Sequence, residues 1–106
     1  MPGTSWSQSE KRIARRVIEA ALARELSEVL AEFKARAARA VDAEEMWALR
    51  DYLNHAQREI DGKYDYRYLQ LEVVFGRLVR ERRIEEHDLA GLAEDKLNTI
   101  RRVASL

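Results

Sequence analysis

The sequence predicts an all-α fold, and three observations lead to this prediction. Apolar residues recur at spacings of three and four along most of the chain, which is typical of amphipathic helices. No segment alternates between apolar and polar residues for long enough to predict a β-strand. The 106 residues include one proline and four glycines, fewer turn residues than a β-sandwich or a Rossmann fold of this length needs.

The first predicted element is one long helix that begins at Ser7. Ser7 and Glu10 have the spacing of a capping box, in which each side chain accepts a hydrogen bond from the other residue's backbone N–H. An apolar stripe then runs to Val41 and predicts a helix of roughly 30 residues, about 45 Å long. A helix of this length in a small protein usually lies along another helix, often one from a second subunit.

The second predicted helix starts at another capping signal, formed by Asp42 and Glu45. We expect it to end at the pair Asp61-Gly62, where Gly62 would adopt the left-handed conformation that often terminates helices. The apolar stripe of this helix predicts a core or a dimer seam and consists of Met46, Leu49, Leu53 and Ile60.

Two further helices are predicted after that turn, at about residues 65–82 and 85–105. Gly76 and Gly91 stand alone inside these two patterns, where we expect them to allow close packing. The whole chain, residues 1–106, is therefore expected to form a single all-α domain.

Composition excludes several classes of function. Lys and Arg total 19 and Asp and Glu total 19, so the chain lacks the surplus positive charge on which nucleic-acid binding depends. Without cysteine there is neither a disulfide framework nor a thiolate zinc site. The first 12 residues contain no apolar signal segment, and no apolar run approaches the roughly 18 residues that span a bilayer. We expect a cytoplasmic protein that does not insert into membranes.

Catalytic, cofactor and metal signals are also weak. The chain has no Gly-rich phosphate loop and no nucleophile elbow, so we predict neither an enzyme nor a cofactor site. His55 and Glu59 lie four residues apart, but metal sites in helical bundles need several Glu and His ligands. His87 follows two glutamates, in a run that we interpret as a solvated surface. We predict no metal site.

A basic cluster ends the third predicted helix. Cations there complement the helix dipole, which is a sufficient structural explanation. The alternative is a surface that binds an acidic patch on a partner protein. The cluster consists of Arg77, Arg80, Arg82 and Arg83.

Six segments of the chain have a sequence that helix formation alone does not explain equally well. The most specific is EIDGKYDYR, residues 59–67, because helix formation does not require it. The other five segments are WSQSE (6–10), ARELSEVL (23–30), EEMWALRDYL (44–53), LEVVFGRLV (71–79) and LAEDKLNTI (92–100). Together, and in this order, the six segments resemble the fluorescence recovery protein family of cyanobacteria. The resemblance covers residues 6–106, nearly the whole chain.

The resemblance implies an all-α homodimer without a chromophore or covalent chemistry. Its two N-terminal helices, about residues 7–62, would form the dimerisation body, and about residues 63–106 a smaller helical head. Family members bind the photoactivated orange carotenoid protein, mainly through that protein's C-terminal domain. They speed its return to the resting orange form and help detach it from the phycobilisome, which would give the cytoplasmic chain an association with the thylakoid.

The resemblance also implies a partner and dimer surface on the second helix. Trp47 and Asp51 lie four residues apart on one helix face and match an aromatic–acid pair of the family. Ordinary dimer core is the alternative role for Trp47. The family pattern has a histidine where this chain has Arg50 and an arginine where it has Gln57. Arg58 is adjacent to Gln57, but one residue turns a side chain by roughly 100° around the helix.

The charged segment 59–67 is interpreted as a junction between body and head. Its charged residues Asp61, Lys63, Asp65 and Arg67 can pair across the bend, next to Gly62. Tyr64 and Tyr66 would pack their rings and keep their hydroxyls in water. Direct contact with a partner is the alternative.

Two functions remain open at this stage. The first is a regulatory protein for the orange carotenoid protein. The second is a related helical dimer that serves a different partner, which Arg50 and Gln57 favour. An enzyme is the third and weakest possibility, since no catalytic constellation supports it.

Overall fold

The computed structural model describes residues 5–106; residues 1–4, which belong to the N-terminal segment discussed above, lie outside the described residues. The described chain contains helices and no strand, so the all-α prediction is confirmed. Its elements are α1 (Gln8–Arg39), α2 (Ala43–Lys63), α3 (Leu71–Arg80), a 3-10 helix (Glu86–Leu89) and α4 (Glu94–Ala104).

Both predicted capping signals are confirmed. Glu10 N donates to Ser7 Oγ at 3.1 Å, and Ser7 N donates to Glu10 Oε1 at 3.0 Å. At the start of α2, Glu45 N donates to Asp42 Oδ1 at 2.8 Å. Glu45 Oε2 in turn accepts from Val41 N at 2.9 Å. These bonds satisfy backbone donors that have no partner inside a helix, so both helix starts follow from local sequence.

The predicted end of α2 is wrong. The helix runs through Gly62 to Lys63, and Gly62 is not among the residues with positive φ. Lys63 is buried, and its Nζ lies 2.7 Å from Glu25 Oε2 of α1. This ion pair needs Lys63 in the last helical turn, which accounts for the continuation through a glycine that costs a helix about 1 kcal/mol.

The two later helices are shorter than predicted. α3 begins at Leu71 rather than near residue 65. The predicted helix 85–105 is divided into the 3-10 helix and α4, because Gly91 between them has a φ of +107°. Gly91 therefore lies in a turn rather than inside a helix. A Cβ there would lie 2.6 Å from Ile13 Cδ1, so the expected close packing is present.

α3 ends in a Schellman motif, and this motif fixes the geometry of the predicted basic cluster. Arg83 N donates to Leu78 O at 2.9 Å, and Arg82 takes the left-handed conformation with a φ of +61°. Arg77 and Arg83 both pair with Glu81, at 2.8 and 3.2 Å. The cluster is thus partly neutralised within its own turn.

The described chain divides into two compact units. The first unit, called the head unit here, comprises the described residues up to Ala21 and Tyr64–Leu106; the second, the hairpin unit, comprises Leu22–Lys63. Helix α1 therefore contributes its first turns to one unit and its remainder to the other.

The head unit has a closed apolar core. α3 and α4 approach closely at Gly76, where a Cβ would lie 2.5 Å from the Val103 side chain and 3.1 Å from Ile100 O. The N-terminal turns of α1 add Ile18, which is 1% exposed. The largest fully buried apolar side chains of this core are Ile18, Phe75, Leu78, Leu89 and Ile100.

A buried ionic cluster ties the start of α1 to the start of α4 within the head unit. Lys96 Nζ lies 3.2 Å from Glu10 Oε2 and donates to Ser5 O at 2.6 Å. The same ammonium group lies 5.0 Å from the centre of the Trp6 ring. Ala93 N donates to Glu10 Oε2 at 2.9 Å. Burial raises the pKa of Glu10, but these hydrogen bonds and the Lys96 charge outweigh it and leave that pKa below its ordinary value.

Two glycine substitutions are expected to change stability in opposite directions. Gly62→Ala should stabilise the protein by about 1 kcal/mol, because Gly62 is helical and has no atom within 4 Å of an added Cβ. Gly76→Ala should destabilise it by about 1–3 kcal/mol, because the added Cβ meets Val103. Urea denaturation at one protein concentration measures both. Loss of stability in Gly62→Ala would show that α2 ends at residue 61 after all.

Acid is expected to weaken the ionic cluster. The folded pKa of Glu10 lies below its ordinary value of 4.5, so its stabilisation is complete above pH 4.5 and is lost as the pH falls through the folded pKa. Glu10→Gln should lower stability at pH 7 by up to about 3 kcal/mol. Its deficit relative to the wild type should shrink as the pH is lowered. Glu19→Gln, at an exposed position of the same helix, is the control; an equal acid response in both variants would contradict the role of Glu10.

Candidate functional site

The hairpin unit buries few side chains of its own. Within residues 22–63 only Glu25, Ile60 and Lys63 are buried. α1 and α2 run antiparallel here, because Glu25 meets Lys63 while Arg36 lies over the Tyr52 ring, 4.2 Å from its centre. The unit is thus a helical hairpin that keeps most of its apolar stripe accessible.

An open groove runs between the two helices of the hairpin unit. It has a volume of about 360 Å³ and includes side chains from both helices. Two of the predicted dimer-core residues, Leu53 and Ile60, line it, and so does Gln57. Arg58 does not line it. The remaining lining residues are Leu26, Val29, Ala56 and Asp61.

The other predicted dimer-core residues lie further along α2. Met46 is half-exposed, and Leu49 lines a second open pocket of about 310 Å³ with Ala48 and Arg39. Leu26 and Leu30 of α1 are also about half-exposed. Exposed leucine and methionine side chains therefore continue along both helices, which is unusual for a surface that faces only water.

Trp47, Arg50 and Asp51 are brought together on α2. The Trp47 side chain is 53% exposed, and the Arg50 guanidinium lies 5.3 Å from the centre of its ring. Arg50 Nη2 also donates to Asp51 Oδ1 at 3.2 Å. Such a cation–π contact orients both groups and contributes about 0.5–1 kcal/mol at an exposed site. An aromatic ring, a cation and a carboxylate are thus held at one surface, where they can contact a partner.

The predicted junction, residues 59–67, contains a charged pair. Asp65 and Arg67 pair, with Arg67 Nε 3.0 Å from both carboxylate oxygens of Asp65. The hydrogen bonds from the Arg67 side chain and backbone lower the pKa of Asp65 to about 2. Lys63 pairs with Glu25 of α1. Tyr64 is buried, and Tyr66 is half-exposed.

Sequence reasoning missed the contacts that hold the hairpin unit together. Glu25 and Lys63 are 38 residues apart, and Arg36 and Tyr52 lie on different helices. The antiparallel arrangement of two capped helices joined by a short loop is the signal that would have aligned these pairs.

Comparison with known proteins agrees with this architecture. A family model described as photoprotection regulator fluorescence recovery protein matches residues 6–104. The fluorescence recovery protein of Synechocystis sp. PCC 6803 is 37% identical over 101 residues, which cover 95% of this chain and 93% of that protein. This chain belongs to the fluorescence recovery protein family.

Solved structures of the family have the same fold. The fluorescence recovery protein of Fremyella diplosiphon is similar with a TM-score of 0.91 at 32% identity, covering 96% of this chain and all of that chain. The protein from Synechocystis sp. PCC 6803 has the same TM-score at 36% identity and the same coverage. Membership of a photoprotection regulator family agrees with the resemblance found in the sequence.

Within residues 5–106, no three His, Asp or Glu side chains converge as they would around a metal ion. His87 is exposed, with Nδ1 3.0 Å from Glu85 Oε2. No helix in the same described part of the chain is both long and apolar enough to cross a bilayer.

The ion pair between Glu25 and Lys63 is expected to stabilise the packing of α1 against α2 in the hairpin unit. Lys63→Met should destabilise the protein by about 3–5 kcal/mol, because it removes the Lys63 cation from beside the buried Glu25 carboxylate. Adding Glu25→Leu should restore most of that loss, since an apolar pair of similar volume often replaces a buried ion pair without cost. Chemical denaturation of the single and double variants measures the coupling. If the losses of stability in the two single variants simply added in the double variant, the coupling between Glu25 and Lys63 would be contradicted.

Proposed function

We propose that this chain, as a homodimer, binds the photoactivated orange carotenoid protein and speeds its return to the resting orange form. Binding is mainly to the C-terminal domain of that partner, and the outcome is the end of phycobilisome quenching. The observation that carries this proposal is the 37% identity to a fluorescence recovery protein over 95% of the chain. The protein acts in the cytoplasm and reaches the thylakoid through the phycobilisome partner.

The composition of the hairpin surface supports the homodimer. Leu26, Leu30, Met46 and Leu53 are between 37% and 52% exposed, and they occur on both helices of one unit. Covering apolar surface stabilises a complex by about 25 cal/mol for each Å² removed from water. A second copy presents the same stripe, as an isologous interface requires. The proposed dimerisation body, about residues 7–62, is thus centred on the hairpin unit, whereas the first turns of α1 pack in the head unit with Tyr64–Leu106.

The Trp47 surface supports binding of a protein partner. Tryptophan and arginine are enriched among residues whose truncation costs the most binding energy. Trp47 and Arg50 are already held against each other, so less side-chain entropy is lost when a partner covers them. Asp51 adds an acceptor beside them.

The proposed activity needs no covalent chemistry. A protein that binds the transition state for return more tightly than the activated state lowers the barrier between them. Each 1.4 kcal/mol of such differential binding increases the rate about tenfold. A few aromatic and charged contacts are sufficient for an acceleration of that order.

A helical dimer that serves a different partner is the second candidate function. The observation that favours it is the identity of two residues. This chain has Arg50 and Gln57 where the family pattern has a histidine and an arginine. Gln57 lines the groove, so this chain has an uncharged amide there at the position where the family pattern has an arginine. Arg58 supplies no replacement within the groove.

Dark recovery of a photoactivated orange carotenoid protein tests the proposal. Absorbance should show that substoichiometric amounts of this chain accelerate the return of the orange form. Trp47→Ala should reduce the acceleration at least about tenfold, in line with a hot-spot loss above 1.4 kcal/mol. Trp47→Phe, which keeps an aromatic ring, should retain most of it.

A double substitution distinguishes the two candidate functions. If the chain is a recovery factor, Arg50→His with Gln57→Arg should change the recovery rate by only a small factor. A folded, dimeric wild type without activity would contradict the first function. If the double variant then accelerated recovery, Arg50 and Gln57 would be the reason why the wild type is inactive.

Met46→Glu is expected to weaken the proposed dimer. The substitution places an unpaired carboxylate in an apolar seam, which disfavours association. Light scattering at low micromolar concentration should give a mass below that of two chains. Val41→Glu, at a position that is 86% exposed in the loop between the helices, should leave the mass unchanged. A Met46→Glu protein that still weighs two chains would place the seam elsewhere.

A further inference from the structure

The head unit contains a second candidate interaction surface, at the start of α1. This surface carries four cations, Lys11, Arg12, Arg15 and Arg16, and the last three are exposed. The one acidic residue among the first turns, Glu10, is buried and used by Lys96. Between residues 8 and 18 the exposed charges are therefore all positive.

The internal structure of the head unit does not account for these charges. None of the four cations forms an ion pair within residues 5–106; Lys11 instead lies 5.1 Å from the centre of the Tyr68 ring. Lys11 also lies in the first turn of α1, where the helix dipole disfavours positive charge. Because the net charge of the whole chain is zero, this cluster of positive side chains is a local feature of the start of α1.

A small cavity lies beside these cations. Its volume is about 110 Å³, and its rim carries Lys11, Arg15, Tyr66 and Tyr68. Its floor is apolar and consists of Ala14, Ile18 and Leu71. Both tyrosines are about half-exposed, so the rim offers two cations and two phenol rings around an apolar floor. We call these residues, with Arg12 and Arg16, the basic–tyrosine face.

We propose that the basic–tyrosine face docks a carboxylate-rich segment of a partner protein, which inserts one aliphatic side chain into the cavity. The cations complement carboxylates, and this complementarity guides association and orientation. The cavity is smaller than the roughly 150 Å³ that accommodates benzene, so an aliphatic side chain fits it better than an aromatic one. This surface goes beyond the proposed function, since it lies in the head unit and requires no carotenoid.

Two other occupants fit the geometry less well. The four cations extend over about 8 Å along the helix axis, which is short for the roughly 6–10 phosphate contacts of a typical DNA-binding protein. On an anionic membrane each basic residue contributes about 1 kcal/mol, but the apolar cavity would then remain unused. A protein segment uses both the charges and the cavity.

An NMR titration of the full-length chain tests the proposal. The probe is a short peptide of glutamate and leucine residues, compared with peptides of glutamate and serine and of lysine and leucine. The first peptide should shift amide signals of residues 11–18 and 66–71, and it should bind more tightly than the second. Raising NaCl from about 0.01 M to about 0.15 M shortens the Debye length from about 30 to about 8 Å, so affinity should fall.

Charge reversal locates the binding site. Lys11→Glu with Arg15→Glu should raise the Kd for the glutamate–leucine peptide at least about tenfold. The matched control is Arg80→Glu with Arg102→Glu, two exposed cations of the same unit, and its Kd should stay within about twofold of the wild type. If circular dichroism shows that the first variant is unfolded, Arg15→Glu alone replaces it.

Several results would overturn the proposal. One is an equal loss of affinity in both double variants, which would reveal a general charge effect. Another is equal affinity for the lysine–leucine peptide, or no shift at residues 11–18 at the highest peptide concentration. Tighter binding of the same face to phosphatidylserine vesicles or to single-stranded DNA would assign it to lipid or nucleic acid instead of a protein segment. Because the titration contains no carotenoid protein, its outcome is independent of the recovery assay.

Discussion

The head unit depends on one carboxylate. Glu10 completes the cap of α1 through Ser7 N, accepts from Ala93 N at the start of α4 and neutralises Lys96. Two helix starts that are more than 80 residues apart in sequence are thereby fixed to one side chain. Lys96 is 2% exposed and would be very costly to bury without this partner. The apolar core of Phe75, Leu78 and Ile100 packs in the same unit.

The two units meet the need to bury apolar surface in different ways. The head unit encloses its apolar residues with short helices, a tight turn at Gly91 and a close helix contact at Gly76. The hairpin unit has long, regular helices and the buried ion pair between Glu25 and Lys63, and it leaves its leucines accessible. Local order in the hairpin comes from caps and helix propensity, whereas its stability in water calls for further apolar contact.

The features that the sequence predicted well are those set by neighbouring residues. The cap at Ser7 and Glu10 and the cap at Asp42 and Glu45 involve residues three apart, so their geometry follows from the pattern alone. The end of α2 was misplaced because Lys63 is held by Glu25, a partner on another helix. The division of the last helix was missed because a glycine in a helical pattern and a glycine in a turn look alike in sequence. At the candidate site the sequence placed Trp47 and Asp51 together, but nothing in their spacing indicated that Arg50 would stack on the ring.

The two tryptophans give the chain a separate optical reporter in each unit. Trp6 is buried beside the Lys96 ammonium group, and its Nε1 has no hydrogen-bond partner within residues 5–106. Trp47 is exposed to water beside Arg50. A buried indole emits at shorter wavelength than a hydrated one, so the intrinsic emission of the protein is the sum of two bands with different origins. Unfolding of the head moves the first band to the red, whereas covering of the hairpin surface moves the second to the blue, and the two events can be followed in one unlabelled sample.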